Sequence, residues 1–388
     1  MGKHSEKRDE RVTPRQEEPQ DIFSSPEMEK KLKTRRRPVL KAIVITLSVL
    51  LVLLIGAATT FYIVLDGALD SFGGKPVDED KIAVDSSNSL PTVKNIALFG
   101  IDSRQNQDVS QDEDGEKLKG LSDSIIIMSV NTKTKSIKLI SVMRDSAVKV
   151  DGSYRKINSA YSRGGAELAI HTLNSNFGLD ITDYATVNFA GMAEIIDVVG
   201  GIEADVTQNE INDRFYGING MILEQSQIKG IKPEYIETPG KQKLNGNQAV
   251  AWARIRKQAT ATGERDDYGR TARQRHVLNE LFQKAKKLNP LEYGDLIDAM
   301  KDCVETSLSS NEILSLAMAV IRGGTLTDAR IPYDGYTVSG NLVTGGVHYD
   351  IETAKDMIAQ FIYADKTFAE YDAELKGETL SSTSSKSK

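Results

Sequence analysis

Apolar positions along this chain recur with the periods of helices and strands, except in one run that has no period. Ala42 to Leu65 contains no charged residue. It is long enough to cross a hydrocarbon core of ~30 Å. It follows a polar tail of about 40 residues and lacks a clear small-residue cleavage site, so it predicts an uncleaved anchor and not a signal peptide. Beyond it, Asn95–Ile101 and Ser124–Val130 are apolar runs of strand length, and Ser136–Met143 is a third. Polar Thr132–Lys135 predicts a hairpin turn between the second and third. In that register, residues whose numbers sum to about 267 face each other, which sets Asp123 opposite Arg144 at the open end.

Helical spacing follows. Ala166, Ile170, Leu173 and Phe177 share a face, and Gly178 suits a C-terminal cap. Ala190–Val199 predicts a second helix, with Gly200 and Gly201 in a turn before the alternating strand Ile202, Ala204, Val206. Asn245–Ala253 predicts a short helix and Thr271–Lys287 a long one. The inward face of the long helix reads Arg270, Gln274, Val277, Leu278, Leu281, with polar groups where apolar ones belong. Helices and strands alternate to about residue 363. The fold class is therefore α/β, with helices covering a sheet.

Charge gives the anchor a direction. Lys30, Lys31, Lys33, Arg35, Arg36, Arg37 and Lys41 precede it with no acid among them, while acids dominate the residues after it. The positive-inside rule then puts the N-terminus in the cytoplasm and the rest outside the cell membrane, as a single-pass protein. Residues 1–41 carry 12 basic and 8 acidic residues, and the remainder 37 and 47, a net of −10. Such an acidic outer part makes nucleic acid a poor partner. The expected organisation is a disordered cytoplasmic tail (1–38), a transmembrane helix (39–65), an extracellular linker (66–92), a folded domain (93–370) and a flexible tail (371–388). Cys303, the only cysteine, excludes an intramolecular disulfide and reads as a small buried hydrophobe.

The candidate chemistry is carried by acids and arginines. Asp102 and Asp123 end one strand and begin another, and two such carboxylates can share Mg²⁺ or Mn²⁺ with water and phosphate. Taken singly, each can equally cap a turn. Arg144 closes an apolar strand and can pair with Asp145. Arg254 and Arg256 share a side if their segment is extended. Arg270, Arg273 and Gln274 have helical spacing near a helix N-terminus that favours an anion. Arg275, on another side, reads as a solubilising residue, and Lys156 by itself as an exposed lysine. No two of the four histidines have zinc-ligand spacing, and there is no nucleophile elbow or P-loop.

Six motifs in order, ALFGIDSR (97–104), LSDSIIIMSV (121–130), SVMRDS (141–146), KINSAY (156–161), WARIRK (252–257) and GRTARQ (269–274), make the chain resemble the LytR–CpsA–Psr proteins of Gram-positive bacteria over about residues 93–370. The resemblance implies a mixed central sheet flanked by helices, with an apolar pocket for a polyprenyl chain. It implies a phosphotransferase that moves a glycopolymer from undecaprenyl pyrophosphate to the C6 hydroxyl of N-acetylmuramic acid in peptidoglycan. The polymer could be teichoic acid, capsule or another wall glycan. By motif, Asp102 and Asp123 match the metal-associated acids. Arg144 matches the family's motif arginine, and Arg104 the arginine after the first acid. Lys156, Arg254, Arg256, Arg270, Arg273 and Gln274 match further pyrophosphate-side positions. The general base stays open between Asp102, Asp123 and Asp145. Two departures stand out: Met143 replaces the usual Pro before the arginine, and Leu121-Ser122 replaces Arg-Ser before the second acid. Rival readings are a non-catalytic binder of anionic wall polymers, a pyrophosphate hydrolase, and a membrane-bound transcriptional attenuator. The last lacks any helix-turn-helix pattern in the tail.

Overall fold

The computed structural model describes residues 74–101, 120–289, 292–301, 303–321 and 325–378. In chain order the strands are β1 (Val93–Ile101), β2 (Ser122–Asn131), β3 (Ser136–Val142), β4 (Ala147–Val150), β5 (Ser153–Lys156), β6 (Asp183–Asn188), β7 (Ile202–Val206), β8 (Gly240–Leu244), β9 (Val304–Thr306), β10 (Thr325–Ile331), β11 (Thr337–Val338) and β12 (His348–Tyr349). The helices are α1 (Asn158–Phe177), α2 (Phe189–Val198), α3 (Gln208–Asn212), α4 (Ile218–Lys229), α5 (Gly246–Arg254), α6 (Asp266–Ala285), α7 (Glu292–Lys301), α8 (Ser310–Ile321), α9 (Ile351–Tyr363) and α10 (Phe368–Lys376).

Six strands form one mixed sheet in the order β10-β3-β2-β1-β6-β9. β2 pairs antiparallel with both β1 and β3, while β1–β6 and β3–β10 are parallel. The β2–β3 register sets Ile126 opposite Ser141 and Ile127 opposite Ile140, the register read from the sequence. Its turn is closed by the Asn131 carboxamide, which accepts from the Lys133 and Thr134 amides at 3.0 Å each.

Alternation along the strands sends apolar side chains to both faces, so both must be covered. Ile125, Ile127, Ile140 and Val142 join a core with Ile170 and Phe177 of α1 and with Ile358 and Phe361 of α9. Ile126, Val130, Ile137 and Leu139 face Leu278 and Phe282 of α6 and Leu316 of α8. A satellite core gathers α2, the antiparallel pair β7–β8, α4 and α5 around Ile196, Ile222 and Trp252. The result is a helix–sheet–helix sandwich with a side module that carries part of the site.

Three expectations change. α1 begins at Asn158, upstream of the expected start, and breaks at Gly164–Gly165, where Gly165 takes φ 65°. Residues 74–92, expected as linker, contain two 3₁₀ turns, and Ile82 is fully buried with its carbonyl accepting from the Asn174 side chain. Part of the expected flexible tail is helical to Lys376, because the Thr367–Glu370 capping box starts α10 and Phe368 and Ala373 bury its inner face. Gly178 does cap α1, at φ 62°. Residues 39–65 lie outside the described residues, among which no helix is long and apolar enough to cross a membrane.

Helix α8 is tied to the sheet by Glu312, which pairs with Lys94 of β1. The hydrogen bond from Lys94, opposed by burial and helped by Ser309, holds the Glu312 carboxyl down to about 2. A depressed folded-state value contributes stability above the ordinary 4.5 that is lost as pH falls toward about 2. The pair is partly exposed, so Glu312→Gln should cost less than about 1 kcal/mol at neutral pH. It should also flatten the loss of stability between pH 4.5 and about 2, as followed by urea unfolding across pH. An unchanged pH profile would remove Glu312 from this role.

Candidate functional site

The open end of the β2–β3 hairpin brings the first charges together. Asp123 and Arg144 form an ion pair across it. Arg144 Nε also lies 3.7 Å from Asp145 and 3.8 Å from Asp267. The β4–β5 hairpin returns Lys156 to within 3.1 Å of Asp145. From the other side, α6 contributes Asp267 and Arg270 one turn apart, 3.0 Å from each other, with Arg270 3.8 Å from Asp123. Arg256 enters from the segment between α5 and α6 and holds Asp267 at 2.9 Å. Three acids and four cations therefore share one partly buried cluster.

Burial shapes its electrostatics. Loss of water brings the Arg270 guanidinium down to about 10, against the opposing pull of Asp267. For Arg144, burial also works against the charge, but Asp123 and Asp267 outweigh it and raise its value. Asp145 and Asp267 hydrogen-bond to each other. Burial pushes Asp267 up despite Arg270, and the bond to Asp145 adds to the rise. Asp145 is buried too, yet the bond from Asp267, followed by Arg144 and Lys156, holds it below the ordinary carboxylate range.

The cations are incompletely satisfied. Arg144 Nε, Arg256 Nε and Arg270 Nε and Nη2 are buried without a hydrogen-bond partner among the described residues. Their ion pairs are close, but the N–H groups are not aimed at the carboxylates. Buried donors left unpaired are costly. An anion with several oxygens, such as a pyrophosphate, would satisfy them with charge-assisted bonds.

An apolar cavity of about 220 Å³ opens beside the cluster. Its floor is β1, β2 and β6, through Leu98, Ile126 and Val187, and its roof is α2, α5 and α6, through Met192, Val250 and Val277. Ser124, next to Asp123, and Gln274, one turn beyond Arg270, line it at the end nearest the charges. This answers the odd pattern of α6: its inward face changes from charged to polar to apolar because it runs from the charged cluster into an apolar cavity.

Some sequence expectations are corrected. Arg254 and Arg256 do not share a side, because α5 ends at Arg254 and buried Ile255 turns the chain. Arg254 stacks over Phe189 at 4.9 Å, pairs with Glu224 at 3.2 Å and lines the cavity. Arg273 does not join the cluster. It is fully buried, pairs with Glu210 at 2.6 Å, and donates to the Ile255 and Gln258 carbonyls at 3.0 and 2.9 Å. Arg275 is not a solubilising residue: it is mostly buried against Asp328 at 2.5 Å. The first turn of α6 holds Asp266 and Asp267, so its amides face acids of their own helix. Lys156 is not a free surface lysine. Asp102 and Arg104 lie outside the described residues. Asp267 was missed, since an acid in the first turn of a helix looks like an ordinary dipole partner. Its spacing of three from Arg270 was the available signal.

Comparison with known proteins agrees with this geometry. The model of the LytR_cpsA_psr family matches residues 71–360. The polyisoprenyl-teichoic acid–peptidoglycan teichoic acid transferase TagU of Enterococcus faecalis is 29% identical over 273 residues, covering 70% of this chain and 79% of the relative. The crystal structure of Bacillus subtilis TagV superposes with a TM-score of 0.51 at 25% identity, covering 71% of this chain and 99% of TagV. The LytR-CPS2A-psr family protein YwtF (TagT) with bound octaprenyl pyrophosphate lipid gives 0.51 at 17% identity, covering 75% and 99%.

Proposed function

Because the chain belongs to the LytR–CpsA–Psr family, we propose that it transfers a glycopolymer from an undecaprenyl-pyrophosphate carrier to peptidoglycan, forming a phosphodiester at the C6 hydroxyl of N-acetylmuramic acid. The observation that carries this reading is the set of unsatisfied guanidinium N–H groups near an apolar cavity that Ser124, next to Asp123, and Gln274, one turn beyond Arg270, help to line. One ligand that ends in a pyrophosphate and continues as a hydrocarbon satisfies both. The names of TagU, a teichoic acid transferase, and of TagT with octaprenyl pyrophosphate support the same class of donor.

In this reading the sugar hydroxyl oxygen attacks the glycan-side phosphorus. The bond from that phosphorus to the bridging oxygen breaks, and polyprenyl phosphate leaves with the electron pair. Arg144, Arg256 and Arg270 stabilise the charge gathering on the departing phosphate. Asp145, held ionised beside Lys156 and Arg144, takes the hydroxyl proton. The donors fit a hard cation in kind: Asp123 would hold Mg²⁺ or Mn²⁺ together with Asp102, phosphate oxygens and water. Among the described residues no group of three or more His, Cys, Asp or Glu would hold one alone. When bound, the ion would neutralise phosphate charge. The anchor at 42–65, with the domain outside the cell, would keep enzyme and lipid carrier at one surface.

Filling the cavity tests the donor site without any turnover. Ala253 lines the cavity, and Ala253→Trp should weaken binding of undecaprenyl pyrophosphate to the full-length protein in detergent by roughly tenfold or more. Titration calorimetry gives the constant. Unchanged affinity would place the lipid elsewhere.

A further inference from the structure

A second concavity, of about 840 Å³, lies on the other side of α6. Tyr268 and Arg275 line it. They are seven residues apart, two turns along one helix face, whereas Gln274 and Val277 line the lipid cavity. Helix α6 is thus a partition with a different site on each side. β10 and the residues after it form the second wall, and the start of α10 the third.

The chemistry of this groove differs from that of the cluster. Two of its three arginines are paired: Arg330 with Asp334, and Arg275 with Asp328 at 2.5 Å, while Arg265 sits between Glu264 and Asp266, which line the groove with it. Its aromatic groups form a packed wall. The Arg330 guanidinium stacks on Tyr268 at 4.1 Å, and Tyr333 meets Phe368 edge-on at 5.8 Å. One donor is left over, since Arg275 Nη1 is buried without a hydrogen-bond partner among the described residues. A phosphate would call for an excess of cations, whereas four acids, Glu264, Asp266, Asp328 and Asp334, line this groove against three arginines. Aromatic faces, paired charges and one spare donor suit a neutral polyhydroxylated chain: ring C–H faces lie on aromatics, and hydroxyl or acetamido oxygens take the hydrogen bonds.

The groove also meets the reacting centre. Asp267 of the cluster sits between Asp266 and Tyr268, both of which line the groove. The Ile331 carbonyl at the end of β10 accepts from the Met143 amide at 3.0 Å, one residue before Arg144. Groove and cluster are thus joined through the first turn of α6 and the end of β10.

We propose that this groove binds the glycan strand of peptidoglycan and delivers the acceptor hydroxyl to the pyrophosphate cluster. The proposal rests on the transferase reading, because only a two-substrate reaction requires an acceptor site. Ala369 is exposed on the groove wall, so Ala369→Trp obstructs the groove without removing any contact. Tyr333→Ala removes an aromatic face instead.

The test is titration of the full-length protein in detergent with a tetrasaccharide of alternating N-acetylglucosamine and N-acetylmuramic acid, and separately with undecaprenyl pyrophosphate. Both variants should bind the tetrasaccharide about tenfold more weakly and the lipid as the wild type does. Lipid affinity retained in Ala369→Trp confirms that its fold is intact. Wild-type tetrasaccharide affinity in both variants, or no binding by the wild-type protein, would overturn the assignment. Because no turnover is involved, that result leaves the transferase reading standing. Conversely, groove-dependent binding by a protein that transfers nothing would sink the transferase reading and keep the groove.

Discussion

Arg144→Ala should lower transfer by a hundred- to a thousandfold, on the order expected for losing one donor that stabilises transition-state charge, and should leave the domain folded. Arg144 is where the cluster converges, facing Asp123, Asp145 and Asp267. Its Nε carries one of the unpartnered N–H groups. Lys156, Arg256 and Arg270 remain in the variant to offset the three acids, so the fold should tolerate the loss. Arg144→Lys keeps the charge but not the planar fork that reaches several carboxylates at once, and should recover little. Transfer rates alongside thermal melts separate the two effects. A variant that melts like the wild type and transfers at its rate would take Arg144 out of the mechanism.

Arg273→Ala should do the opposite, costing about 3–5 kcal/mol of stability, as breaking a buried ion pair does. Arg273 and Glu210 have no exposed side-chain surface. Without the guanidinium, the Glu210 carboxylate is left buried and uncompensated, and the Ile255 and Gln258 carbonyls lose their donor. Those carbonyls belong to the segment that presents Arg256, so activity should fall as a consequence of unfolding or local loosening. Trp252, the only tryptophan, lies 5.8 Å from Arg273, and its fluorescence reports urea unfolding at that place. Replacing both partners with apolar residues should recover part of the stability. An Arg273→Ala protein of normal stability that fails to bind lipid pyrophosphate would instead return Arg273 to the site.

These two arginines show where sequence reading succeeds. Asp123 and Arg144 were legible as a pair because a hairpin with a polar turn and apolar arms has one register that buries the arms. The α6 face was legible as unusual because charged and polar residues held positions that should be apolar. Helical spacing alone could not separate Arg270 from Arg273. The two differ in what approaches from outside α6: Asp123 toward one, and Glu210 of α3, 63 residues away, toward the other. Arg254 and Arg256 diverged for a similar reason, as a helix end between them depends on Ile255 finding its core. Asp267 and the groove beside α6 are assembled from residues whose local patterns are ordinary, so only the tertiary contacts disclose them: Arg144, Arg256 and Arg270 around Asp267, and β10 beside α6.

The central claim is tested most directly by the reaction itself. Full-length protein in detergent with Mg²⁺ would receive an undecaprenyl-pyrophosphate-linked glycan and peptidoglycan oligomers, with Arg144→Ala in parallel, and the products would be read by mass spectrometry. The account predicts a phosphodiester-linked adduct on the muramic acid residue and released polyprenyl phosphate, both formed about a hundred- to a thousandfold more slowly with Arg144→Ala. Tight lipid binding with no adduct across several glycan donors, or adduct formed equally well by Arg144→Ala, would contradict it.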